Sequence, residues 1–510
     1  MLGRPFLVLF VLLGHATLAA EKSSFHAAFE SITSQELQQH VDTLADDIFE
    51  GREAGSRGGR AAAMYLRQAL DELGLAGAGD DGDTFQSFRD GYRNLLVRLP
   101  GRGDALSDEV ILIGAHYDHV GYGSSRNSYG PTGYIHNGAD DNASGASALL
   151  ELAQAFSQLN SPPQRTLLFA LWDGEEKGLL GSTHWLNHPT IPHERLKLAI
   201  NMDMVGRLKN GRLEVGGTRT SWGLRRAFSR VAQDSSLWID FAWELQSNSD
   251  HWPFFQRGLP TIMLHTGIHN DYHRPSDDAH LINADGMREV VQLLFEAVYG
   301  LGEAAELAGF RAESKSENER GRRRLERPLA ALPPRLGVIW DDETTPGKVT
   351  VKRILQGSAA HRAQLQVGDR IVRADSQSIE TGDELRSAVL TSQGHLSLGI
   401  ERDGEKEAID VPVAMEGTPV HVGISWREDN AEPGNLLLTR VVPGSSAAQA
   451  GLAVNDRIYQ FEGNDFHNGD EFRQRIVGVS GFVSLLVESR GMVRTVQLEL
   501  PKVRRSAHED

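Results

Sequence analysis

The chain has 510 residues, 40% of them hydrophobic and 7% aromatic, which is ordinary globular composition and too long for one core. Its formal net charge of −17 speaks against a nucleic-acid partner, because a polyanion is bound by a basic face. It contains 0 cysteines, which excludes disulfides, thiolate metal sites and a cysteine nucleophile, so any metal must be held by histidine and carboxylates.

The first segment carries Arg4 and Pro5 and then the apolar run Phe6–Leu13, closing on Ala19-Ala20 before Glu21. This pattern describes a secretory signal peptide over residues 1–20, too short to span a bilayer, and predicts an exported chain, periplasmic or secreted after its removal. No other stretch approaches membrane-spanning length. Residues 25–80 read as helical, with apolar residues at helical spacing in Arg60–Leu70. From residue 94 short apolar runs alternate with amphipathic ones. Strands are expected at Asn94–Leu99, Val110–Gly114, Thr166–Trp172, Leu198–Asn201 and Thr261–His265, and helices at Ala146–Phe156 and Met287–Tyr299. Such alternation predicts an α/β domain over residues 25–303, with a mostly parallel mixed sheet sandwiched by helices.

Residues 304–335 are charge-rich, include Arg320, Arg322, Arg323 and Arg324, and read as a solvated linker. Beyond them lies an internal duplication. Gly357–Ile371 recurs as Gly444–Ile458, and the same spacing carries Gly382–Leu385 onto Gly469–Phe472 and Gly404 onto Gly491. Two copies of one small α+β domain are expected, over residues 336–415 and 417–502, with a tail over 503–510. Each copy resembles a PDZ domain of the kind fused to bacterial envelope proteases. The resemblance implies a carboxylate-binding loop near Leu336–Ile339 and Val422–Ser425, where protein C-termini or internal peptides add a strand to the sheet edge. The alternative is that the two modules only pack.

The chemistry lies after the apolar runs, where open α/β sheets gather ligands. His116, Asp118 and His119 follow the second run. Asp140 and Asp141 precede a helix, and Asp173, Glu175 and Glu176 follow Trp172. Asp203 follows the fourth run; His265, Asp271, His273 and Asp277 follow the fifth. Clustered carboxylates repel one another unless a cation neutralises them. A pair of Zn²⁺ ions sharing one carboxylate resolves that conflict. His119, His251, His265 and His269 read as cleft, core or loop residues, and residues 121–136 as either a rim loop or plain surface.

The ordered set His116-x-Asp118, Gly138–Gly145, Glu175-Glu176, Asn201-Met-Asp203-Met and Tyr272-His273-x-Pro-Ser-Asp277 resembles the co-catalytic zinc aminopeptidases. That family includes leucyl aminopeptidases, glutamate carboxypeptidase and, as a divergent branch, glutaminyl cyclases. Ser249–Phe254 matches a family element as well. The resemblance covers roughly residues 35–300. It implies two Zn²⁺ per chain: Asp140 bridging, His116 and Asp203 completing one site, Glu176 and His273 the other. It also implies a cis peptide bond between Asp140 and Asp141. Asp118 is expected to accept a hydrogen bond from His116, and Glu175 to act as general base in a two-metal hydroxide mechanism. The implied activity is a metallo-exopeptidase, foremost an aminopeptidase acting on peptides. The alternatives are a carboxypeptidase, a dipeptidase or cyclase on the same scaffold, or a non-catalytic PDZ scaffold.

Overall fold

The computed structural model describes residues 21–89, 91–103, 105–341 and 349–501. The expected signal peptide and the tail from residue 503 lie outside the described residues. The chain divides into two compact units, the first running to Arg322 and the second holding the duplicated modules. No helix among the described residues is long and apolar enough to cross a membrane.

The first unit is built on one mixed sheet in the order β1-β3-β5-β4-β6-β9-β7-β8, with β2 paired to β3. Its strands are β1 (Ala76–Gly77), β2 (Phe85–Arg89), β3 (Tyr92–Leu99), β4 (Val110–His116), β5 (Thr166–Trp172), β6 (Leu196–Met202), β7 (Arg212–Gly216), β8 (Trp238–Ala242) and β9 (Thr261–His265). The middle strands β5, β4, β6 and β9 are parallel. The antiparallel pairs lie toward the edges, β3 on β5 and β7 on β9. Every residue of β4 is buried, as expected for a strand covered on both faces. Alternate residues feed two cores. Ile111, Ile113, Leu167 and Phe169 point to one side; Leu112, Leu168, Ala170 and Trp172 point to the other, with Trp185 and Phe254.

The helices that cover the first side are α1 (Ser34–Leu44), α2 (Arg57–Glu72), α3 (Gly145–Ser157) and α7 (Ala284–Glu303). Those of the other side are α4 (Leu180–Asn187) and α6 (His251–Arg257), and α5 (Leu224–Val231) packs with the first group. Thr33 caps α1 by accepting the Glu36 amide at 3.2 Å, and Asn283 caps α7 by accepting that of Gly286 at 3.0 Å. The expected strands and helices are present with ends shifted by a few residues. The short strands β1, β2, β7 and β8 were not legible from the apolar pattern: β1 is only two residues long, and β2, β7 and β8 mix polar residues into five positions.

The expected solvated linker is corrected in its first half. Arg311 is buried, and its amide donates to the Thr220 carbonyl at 2.7 Å. The Arg311 guanidinium donates to Glu317 at 3.1 Å, and Glu317 also pairs with Arg219 at 2.7 Å. Charge content alone suggested solvation; carboxylate–guanidinium pairing is what lets these charges dock.

In the second unit each module is a six-stranded sheet with the same strand order. The first comprises β10 (Val338–Asp341), β11 (Val349–Ile354), β12 (Arg370–Ala374), β13 (Gln377–Ser378), β14 (His395–Glu401) and β15 (Ile409–Ala414). The second repeats them as β16 (Ile424–Arg427), β17 (Leu436–Val441), β18 (Arg457–Phe461), β19 (Asn464–Asp465), β20 (Gly481–Ser489) and β21 (Met492–Leu500). The repeated Gly-Ser motif has a plain physical role. Ser358 and Ser445 cap short helices by accepting the amides of His361 (3.3 Å) and Ala448 (3.4 Å). The repeated Asp closes a turn in each copy, Asp369 accepting the Gln366 amide at 2.7 Å and Asp456 that of Ala453 at 2.9 Å. The expected carboxylate loops turn at Gly337 (φ 79°) and Gly423 (φ 89°), where a side chain would collide with Ser358 or Ser445.

Candidate metal centre

Four parallel strands end level with one another: His116 pairs with Trp172, Gly114 with Asn201 and Met202 with Leu264. The sequence just past those ends therefore meets at one rim. His116 is the last residue of β4 and Asp203 follows β6 directly. Glu175 and Glu176 lie in the turn after β5, and His273 lies in the long segment after β9.

The side chains converge into two groups that share a single carboxylate. His116, Asp141 and Asp203 form one; His119, Asp141, Glu176 and His273 form the other, with the ligand atoms of each group within 4.8 Å. The Asp141 Oδ1 atom lies 3.4 Å from His116 Nε2, which is also 3.5 Å from Asp203 Oδ1. Asp141 Oδ2 faces the other way, 3.1 Å from His273 Nε2, and that nitrogen lies 3.2 Å from Glu176 Oε1.

The shared residue is thus Asp141, whereas the sequence reading placed the bridge at Asp140. Asp140 is fully buried and turned away: its Oδ1 accepts the Gly206 amide at 2.7 Å and its Oδ2 lies 3.2 Å from His269 Nε2. The cis peptide bond is correspondingly at Asp141–Asn142 rather than Asp140–Asp141. Adjacent aspartates cannot be ranked by composition; the turn that begins at left-handed Gly138 (φ 54°) decides which of them faces the rim. Asp277, named in the sequence among the carboxylates past the fifth run but given no role, accepts the amides of both Asp140 (3.0 Å) and Asp141 (3.1 Å) and pins this backbone.

Asp118 also has a different partner from the one expected. His116 Nδ1 lies 3.1 Å from the backbone carbonyl of Asp118 and 3.8 Å from its carboxylate. A carbonyl can only accept, so Nδ1 carries the proton and Nε2 presents its lone pair to Asp141 and Asp203. The Asp118 carboxylate instead accepts the amides of Glu175 (3.0 Å) and Glu176 (3.3 Å), fixing the turn that carries both.

Of the histidines weighed as bystanders, His119 belongs to the site, its Nδ1 2.9 Å from Glu176 Oε1. His251 is a core residue bonded to the Gln246 carbonyl at 2.9 Å, and burial lowers its pKa to about 4. His265 receives the Gly267 amide at 2.6 Å. Arg52 carried no signal in the sequence. It is buried, and it donates to the carbonyls of Leu44 (2.6 Å), Tyr117 (2.8 Å), Asn137 (2.6 Å) and Gly138 (2.9 Å), tying the base of the site together.

The electrostatics call for a cation. Burial works against a charged His273, yet hydrogen bonds to Asp141 and Glu176 outweigh it and raise the imidazole to about 11. His116 is also raised despite burial, by Asp203, Glu175 and Asp141. Burial pushes the Glu175 carboxyl well up, with Glu176, Asp250 and Asp203 adding to it. Protons on imidazoles are standing in for positive charge that divalent ions supply more effectively. Two further observations fit metal. Asp203 Oδ1, which faces His116 Nε2 across one donor group, is buried without a hydrogen-bond partner among the described residues. The donors are all oxygen and imidazole nitrogen, a set that suits zinc.

This is an α/β domain with a candidate two-metal centre at its parallel strand ends. Residues 94–298 match the peptidase family M28 model, and residues 334–413 and 437–485 match PDZ domain models. The chain therefore carries an M28 peptidase domain followed by two PDZ domains. Among similar curated proteins, leupeptin-inactivating enzyme 1 of Streptomyces exfoliatus is 29% identical over 244 residues, covering 47% of this chain and 49% of that protein. Aminopeptidase YwaD of Bacillus subtilis (strain 168) is 27% identical over 200 residues, covering 38% of this chain and 41% of that protein. The chain spans about half the length of the curated relatives it matches. In a comparison of structures, the Legionella pneumophila LapA aminopeptidase aligns with a TM-score of 0.46 at 20% identity, over 56% of this chain and 76% of that one.

Proposed function

We propose that this chain is a zinc-dependent exopeptidase, an aminopeptidase that releases N-terminal residues from peptides, and that it binds two zinc ions. The observation that carries the reading is the orientation of Asp141, one oxygen toward His116 and the other toward His273. In this reading His116, Asp141 and Asp203 hold one zinc, and Asp141, Glu176 and His273 hold the other. His119 donates to Glu176 and fixes its rotamer. The names of the curated relatives support aminopeptidase action over the carboxypeptidase and cyclase alternatives.

When bound, a zinc pair supplies Lewis-acid polarisation of a carbonyl and a water acidic enough to react near neutral pH. The remaining work falls to Glu175. Its carboxylate takes the proton of the attacking water and delivers it to the departing amine nitrogen. Asp118 keeps the Glu175 amide in place, so the base is held by a hydrogen bond rather than by sequence neighbours alone.

The reading is tested with aminoacyl-anilides bearing free or blocked N-termini, assayed with and without zinc. Cleavage of the free-amine substrates alone, lost on chelation and restored by zinc, is expected. Equal cleavage of blocked substrates contradicts the aminopeptidase assignment.

A further inference from the structure

The segment 121–136 follows the His116–His119 motif past β4 and reaches toward His273. Its base is pinned. Gly121 donates to the Gly51 carbonyl at 3.0 Å and His136 donates to that of Gly121 at 2.8 Å. Gly51 itself has φ 67°, and a Cβ there would strike His136 O and Gly121 O, so the two chains meet backbone to backbone. Its interior is held as well. Asn127 Oδ1 accepts from the Ser124 amide (2.8 Å) and hydroxyl (2.6 Å), and Ser128 Oγ contacts His136 Nε2 at 2.8 Å. Side-chain-to-backbone bonds of this kind fix a turn without a strand or helix.

What this ordered loop presents is directed at His273. The His273 Nδ1 atom donates to the Asn127 carbonyl at 2.8 Å, and the Tyr129 amide donates to the His273 carbonyl at 2.9 Å. The Tyr129 ring stacks on the imidazole with centroids 5.6 Å apart and planes at 28°, beside the closer Tyr272 ring at 4.0 Å and 26°. His273 needs such support. It has φ 53°, an unusual conformation for a residue with a side chain, and no strand carries it. The proton on Nδ1 leaves Nε2 free to face Asp141 and Glu176, the tautomer a metal requires. Tyr129 is 63% exposed, so the domain's core does not account for its position; its ring contacts with His273 and Tyr272 do.

We propose that this loop is a positioning arm for His273, with the Asn127 carbonyl selecting the tautomer and the Tyr129 ring holding the imidazole plane. The inference rests on the metal-centre reading above. Tyr129 acts through His273 and is a positioning residue.

The test uses the full chain and measures zinc dissociation constants by chelator competition, beside kcat and KM. His273→Ala identifies the zinc equivalent that depends on this histidine. The Asn127→Ala/Tyr129→Ala variant keeps the residue-127 carbonyl but removes the Asn127 Oδ1 that fixes its turn through Ser124, together with the Tyr129 ring; that same equivalent is expected to bind about tenfold more weakly, the lower end of the range for disturbing an outer partner of a metal-ligating histidine. The other equivalent stays as in the wild type, kcat falls with KM little changed, and Tyr129→Phe behaves as wild type because it keeps the ring. Two results overturn the proposal: unchanged binding of both zinc ions in the double variant, or a rise in KM alone, which makes Tyr129 a substrate contact. If His273→Ala itself keeps both zinc ions, the metal-centre reading fails and the arm fails with it. If His273→Ala loses one and the loop variant does not, only the arm fails.

Discussion

The two halves of the candidate metal centre share Asp141 but are built from different material. The half containing His116 and Asp203 sits directly on strand ends: His116 closes β4, Asp203 follows β6, and β4 and β6 are paired neighbours. A single backbone carbonyl, that of Asp118, is enough to orient its imidazole. The half containing Glu176 and His273 sits on connecting segments, and more partners surround it. His119 contacts Glu176, Asn127 and Tyr129 hold His273, and Asp118 pins the amides of the Glu175–Glu176 turn. Ligands on sheet ends inherit their precision from the ladder of hydrogen bonds behind them, whereas ligands on loops must be braced one by one. The difference also locates fragility, because each brace is a residue that can be removed without touching a ligand.

The largest effect is expected where the halves join. Asp141→Ala removes the shared carboxylate and is expected to lose both zinc ions and reduce turnover by about a thousandfold or more. Asp140→Asn, one residue away, is expected to retain both. Equal metal loss in the two variants would undo the assignment of the bridge. Next comes Glu175→Gln, which leaves every proposed ligand in place. Zinc content is expected to stay at the wild-type level while kcat falls by roughly 10²–10⁴-fold, and wild-type kcat in this variant excludes Glu175 as the base.

A smaller effect sharpens the contrast between loop-borne and strand-borne ligands. His119→Ala is expected to weaken only the zinc held by Glu176 and His273, by about tenfold, leaving the His116 and Asp203 site unaffected. Metal loss confined to the strand-borne site would reverse the comparison.

The smallest effect lies outside both halves and reports on the core beneath them. Glu151 on α3 is buried, and burial, with Glu36 nearby, raises its pKa to about 8. The folded state therefore keeps this proton up to about pH 8, whereas the unfolded chain gives it up near about pH 4.3, so stability falls as pH rises across that window. Glu151→Gln is expected to melt like the wild type at pH 4 and above it at pH 8. Parallel melting curves at both pH values would contradict the buried proton.

The sheet was legible in the sequence wherever strands were buried on both faces, since runs such as Val110–Gly114 and Thr166–Trp172 announce themselves. The short strands β7 and β8, near one edge, were not, because Arg212 and Glu214 interrupt the first and Asp240 the second. In the site, the carboxylates and imidazoles at strand ends could be named, as could the Glu175-Glu176 pair. The choice between Asp140 and Asp141 could not, because it depends on the turn from Gly138 and on the amides that Asp277 accepts from 137 and 136 residues away. Arg52 was silent for a similar reason: its four acceptors are backbone carbonyls, which no side-chain pattern reveals. The duplication was the plainest signal of all, since Ser358 and Ser445 do the same capping work in each copy.

The central claim is that one carboxylate joins a strand-borne and a loop-borne zinc site. Calorimetric titration of the metal-stripped full chain with zinc, run beside Asp141→Ala, tests it most directly. The account predicts two equivalents bound in two steps of unequal affinity by the wild type, and neither step in the variant. A single equivalent in the wild type, or two that persist without Asp141, would contradict it.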